Sequence, residues 1–143
     1  MKDTRQMIPA VGLLATMFAA VYMVVLSAQK ATLTGDFTNA AIAEVRDAQG
    51  QIVMSGQFQA TDEDDDDVER KAVLAATGAE ADAKGEAEVE FSKDAPADQE
   101  VEFSIRNVAP NATFTFVIDG TAVGTATADG RGRAELEMDV RIR

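Results

Sequence analysis

The sequence predicts an all-β extracytoplasmic domain, an antiparallel immunoglobulin-like β-sandwich of eight or nine strands, behind one N-terminal transmembrane α-helix. Three observations carry that expectation. Residues 7–28 are a continuous apolar block, and no charged residue lies between Arg5 and Lys30. Beyond it the pattern switches to alternation with a period of two, the mark of strands with one dry and one wet face. Turn residues then recur about every 8–12 positions, the spacing of a sandwich of short strands. With 143 residues in all, the chain has room for one such domain and not for two well-filled cores.

The apolar block reads MIPAVGLLATMFAAVYMVVLSA, 22 residues in which only Thr16, Tyr22 and Ser27 carry polar side-chain groups. As a helix it would be about 33 Å long, matching a hydrocarbon core of about 30 Å. Its nine strongest apolar residues, among them Ile8, Leu13, Leu14 and Phe18, favour insertion by roughly 4 kcal/mol together. Pro9 falls in the first turn, where its missing N–H costs little. A cleavable signal peptide is the competing reading, but the block exceeds the usual 7–15 apolar residues, and with no Cys there is no lipoprotein site. Lys2 and Arg5 precede the block, Lys30 follows it, and the next basic residue is Arg46. All but one of the 25 acidic residues lie beyond residue 30. This bias places residues 1–6 in the cytoplasm, 7–28 across the inner (plasma) membrane, and 29–143 in the periplasm or outside the cell. Gly12, Thr16 and Ala20, flanked by Ala15 and Ala19, put small residues along one helix face, a surface suited to packing on another membrane helix.

The strands follow in order. Leu33 and Phe37 suggest a first strand leaving the membrane. Residues 42–46 and 51–58 flank Asp47-Ala48-Gln49-Gly50, a four-residue hairpin loop. Residues 68–76 would suit a helix as well, and their place between strands decides for β. Ala87, Val89 and Phe91 alternate with Glu86, Glu88 and Glu90; Val101, Phe103 and Ile105 alternate with Glu100, Glu102, Ser104 and Arg106. Residues 113–118 mix apolar residues with β-favouring Thr, as in a strand buried on both faces. Asp119-Gly120 turns the chain into 121–127, and Asp129-Gly130 turns it into a last strand where Ala134, Leu136, Met138, Val140 and Ile142 alternate with charged residues.

The segment NVAPNATFTFVIDGTAVGTATADGRGRAEL, residues 107–136, resembles the closing strands of small, membrane-anchored bacterial extracytoplasmic sandwich domains. That resemblance rests on turn residues, covers under a quarter of the chain, and implies architecture rather than activity. The Cys and Trp signature of immunoglobulin domains is absent, which leaves the strand order open.

Composition narrows the chemistry. The absence of His and Cys excludes imidazole and thiolate metal sites, Cys nucleophiles and Ser-His-Asp triads. A net charge of −12 is unsuited to nucleic acid. The acidic loop 61–67 contains Asp62, Asp64 and Asp66 in the D-x-D-x-D opening of a calcium loop. Its sixth position is Asp67 instead of Gly and its twelfth is Val73 instead of Glu, so a solvated loop is the expectation and Ca²⁺ a weak candidate. Ser27 and Lys30 have bare S-x-x-K spacing, but Lys30 sits where a cation snorkels at the membrane edge. Glu86, Glu88, Glu90, Glu100 and Glu102 fall on wet strand faces, where they serve solubility. Asn111-Ala112-Thr113 is a glycosylation triplet only in a glycosylating host. No cofactor and no catalytic set is expected. The functional expectation is a non-catalytic accessory subunit whose partners are the lipid bilayer and integral membrane subunits of a larger complex, respiratory, photosynthetic, transport or secretory. The alternative is a tethered binding or adhesion domain whose acidic loop engages a cation or a basic soluble protein.

Overall fold

Alternating residues build nine strands in the computed structural model, which describes residues 32–61, 66–78 and 80–143, all within the unit Ala31–Arg143. They are β1 (Thr32–Thr34), β2 (Ile42–Arg46), β3 (Ile52–Thr61), β4 (Asp67–Ala76), β5 (Lys84–Ser92), β6 (Asp98–Arg106), β7 (Thr113–Ile118), β8 (Thr121–Thr127) and β9 (Arg133–Arg141). The clearest alternation is in β6, where Gln99, Val101, Phe103 and Ile105 are buried and Asp98, Glu100, Glu102, Ser104 and Arg106 are exposed. The expected helix over 7–28 and its small-residue stripe lie outside the described residues. Among the described residues no helix is long and apolar enough to cross a membrane.

The all-β class and the strand number stand; the sheet arrangement is more specific than expected. Hydrogen bonding runs through a single sheet of order β1-β9-β6-β5-β4-β3-β2-β7-β8, where two sheets were expected. Strands β2 to β6 form an antiparallel meander. The chain then crosses to lay β7 beside β2 and β8 beside β7, and returns to pair β9 with β6. Strand β1 joins the free edge of β9 in parallel, the one departure from the expected antiparallel pairing among these strands. The sheet curls until it is nearly a barrel. Phe103 on β6 and Phe116 on β7, five places apart in strand order, meet with ring centroids 4.8 Å apart across the interior.

Glycines permit this curvature where any side chain would block it. A Cβ on Gly56 would run into the Val73 carbonyl, and one on Gly85 would sit 2.6 Å from the Ser104 carbonyl, so neighbouring strands come close there as the sheet bends. At the opposite seam, a Cβ on Gly124 of β8 would lie 2.8 Å from Leu136 Cδ2 of β9. Packing, not strand pairing, therefore brings β8 up to β9.

Two local expectations need correction. The first strand is only Thr32–Thr34, and Phe37 is buried in the segment after it. Residue 130 is not the left-handed glycine of the last turn: Gly132 is, with φ 73°. There the Asp129 N–H donates to the Arg133 carbonyl at 2.8 Å and the Asp129 Oδ1 accepts from the N–H groups of Arg131 and Arg133. Asp47 and Gly50 make the same turn in the β2–β3 hairpin, with Gly50 at φ 81°. The Asp119-Gly120 turn is as expected: φ values of 48° and 80° make the two-residue connection between Ile118 and Thr121.

Candidate functional site

Of the residues that the sequence singled out, Asp66, Asn111 and the strand glutamates lie among the described residues. Asp66 is exposed, and its backbone carbonyl accepts the Lys93 N–H at 2.9 Å and the Ser92 Oγ at 3.4 Å. Asp62 and Asp64 lie outside the described residues, as do Gly12, Ala15, Thr16, Ala19, Ala20, Tyr22, Ser27 and Lys30. Among the described residues no three Asp or Glu side chains are grouped as a metal site would need. Asn111 sits exposed in a left-handed turn with φ 62°, its N–H donating to the Ala128 carbonyl at 3.0 Å.

What the ladder brings together is a broad acidic face. On the outer surface Glu69, Glu90, Glu100 and Asp139 stand in one cross-strand row, and Lys71, Glu88, Glu102 and Glu137 in the next. Lys71 bridges Glu86 at 3.0 Å and Glu88 at 3.9 Å, and Glu86 raises its pKa. Partial burial, followed by the charge of Glu69, pushes the Glu88 carboxyl above the ordinary carboxylate value; Lys71 only partly offsets this. A carboxylate held among like charges costs stability whenever it is ionised.

Toward one end of the same strands the sign reverses. Lys84, Arg106 and Arg133 are directly opposed across β5, β6 and β9. Lys84 and Arg106 border a hollow of about 480 Å³ whose walls also include Ser104, Val73, Leu74 and Ala83. Glu86 is the one carboxylate in that lining, and Lys71 already engages it. Val73 is 74% exposed, the most exposed large apolar side chain among the described residues.

Two inward-facing polar residues were missed by the sequence reading. Gln99 is 3% exposed; its Oε1 accepts the Phe37 N–H at 2.8 Å and its Nε2 donates to Thr38 Oγ1 at 2.9 Å. Thr38 in turn donates to Asp36 Oδ1 at 2.6 Å, and these hydrogen bonds lower the Asp36 pKa. Gln99 thereby ties the segment after β1 to β6. Arg70 faces the interior of β4, its Nη1 3.4 Å from the Ala40 carbonyl and its buried Nε without a hydrogen-bond partner among the described residues. Both were legible in principle, because each holds a dry-face position in an alternating strand. No protein-family model, curated protein or solved structure matches the chain.

Proposed function

We propose that the chain is a single-pass membrane protein, an accessory subunit that packs into a larger membrane complex and does no chemistry of its own. In this reading residues 7–28 cross the inner membrane and dock on a neighbouring helix through Gly12, Thr16 and Ala20. The strand-built domain, a single curled sheet, braces the partner's periplasmic or extracellular surface. The observation that carries the reading is the apolar block 7–28, long enough to span, leading within a few residues into the strands that begin at Thr32. So short a connection keeps the domain beside the bilayer, where a membrane subunit is within reach. The test is solubilisation of native membranes in mild detergent followed by mass measurement. A defined assembly with co-purifying subunits supports the reading, and a lone monomer contradicts it.

The acidic face favours a second reading, a tethered domain that recruits a basic soluble protein, because the charges of Glu69, Glu102 and Glu90 add to burial in raising the pKa of Glu88. Its affinity would fall steeply with salt.

A further inference from the structure

The geometry points to a binding site for a small organic anion, phosphate or carboxylate, carrying an apolar group, in the hollow bounded by Lys84, Arg106 and Val73. Four observations converge on it. The first is that Lys84 and Arg106 are cross-strand neighbours, an arrangement that costs stability between like charges unless an anion sits between them. Arg133 extends the row from β9, although its charge is also felt by Asp129. Secondly, among the described residues neither Lys84 nor Arg106 makes an ion pair or side-chain hydrogen bond. The one carboxylate in the lining, Glu86, is committed to Lys71 at 3.0 Å.

Thirdly, the volume of about 480 Å³ lies within the usual range for small-molecule sites, and its lining combines Ser104 and the two cations with Leu74, Ala76 and Ala83. Fourthly, Val73 stands exposed at the edge of that lining, where covering it with an apolar group would remove it from water. A guanidinium offers a planar fork to two oxygens of one anion, and an ammonium adds a point charge beside it. The anion is selected by the cations, and its apolar part by the alanines, Leu74 and Val73. The site does not depend on the accessory-subunit reading, since every residue in it belongs to the strand-built unit.

The experiment uses the full chain in phosphatidylcholine nanodiscs, followed by amide NMR with phenyl phosphate as the probe. Saturable shifts at Gly85, Ser104 and Ala83 are expected. Lys84→Gln with Arg106→Gln, both surface changes, should weaken binding at least about tenfold, the worth of one charge-assisted hydrogen bond. Val73→Asn should weaken phenyl phosphate but not inorganic phosphate. A second arm adds phosphatidylglycerol to the nanodisc without free ligand. The same shifts there identify a lipid headgroup as the source of the anion, and shifts with phenyl phosphate alone identify a free metabolite. No saturable shift in either arm, equal binding by the double variant, or inorganic phosphate binding as tightly as phenyl phosphate overturns the proposal.

Discussion

Glu88 shows how one side chain couples the outer surface to stability. Burial and the charge of Glu69 raise its pKa, so between the ordinary carboxylate value and the raised one the folded chain binds a proton that the unfolded chain has released. Stability contributed here therefore rises as pH falls through that interval and is lost as pH rises through it. Glu88→Gln should stabilise the protein by about 0.5 kcal/mol at neutral pH, and thermal melts should show that gain shrinking toward the ordinary carboxylate value. Asp129 has the opposite sign. The N–H groups of Arg133 and Arg131 lower its pKa, so its support is present above the ordinary carboxylate value and disappears as pH falls through the lowered one. Asp129→Ala should lower the melting temperature at pH 7 and flatten the acid limb of the profile. Gln99 gives a third test: Gln99→Leu strands the buried Phe37 N–H and should cost about 1–3 kcal/mol by urea denaturation. The sequence carried part of this. Parity in β6 places residue 99 on the dry face, but nothing in the sequence says which backbone group a buried amide will serve, because Phe37 is 62 positions away.

Elements were more legible than their assembly. The alternation in β5, β6 and β9 marked their dry faces, and Phe103, Ile105, Ala134 and Val140 are buried as that pattern requires. The stretch 68–76 was ambiguous by composition; it is a strand because β3 and β5 supply ladders on both of its edges. Single-sheet closure was not legible, because it depends on Gly56, Gly85 and Gly124, which in sequence look like any strand glycines. The last turn misled because Asp129-Gly130 mimics a two-residue hairpin while the left-handed position falls to Gly132. Closure yields a contrast between sites. Gly56→Ala directs a Cβ at the Val73 backbone carbonyl, which cannot swing away, and should cost about 3 kcal/mol. Gly124→Ala meets only the flexible ends of Leu136 and Met138 and should cost clearly less. Equal losses in chemical denaturation would show that the seam between β8 and β9 is as rigid as the ladder between β3 and β4.

For the whole molecule, charge and greasiness are segregated along the chain. All but one of the 25 acidic residues follow the apolar block, and many of them line one curved face of the sheet. Screening that face should raise the melting temperature as salt increases, since the Debye length is about 10 Å at 0.1 M. Function was the least legible level, because a scaffold without His or Cys announces no chemistry and the bracing role proposed above would leave no motif. The apolar block and its flanks remain the residues on which the proposed role in an assembly rests. The most direct measurement is carbonate extraction of native membranes, with mass spectrometry of the chain from pellet and supernatant. The account predicts an intact chain, with residues 7–28 still attached, retained in the pellet; mature protein beginning near residue 28 and released to the supernatant would contradict it.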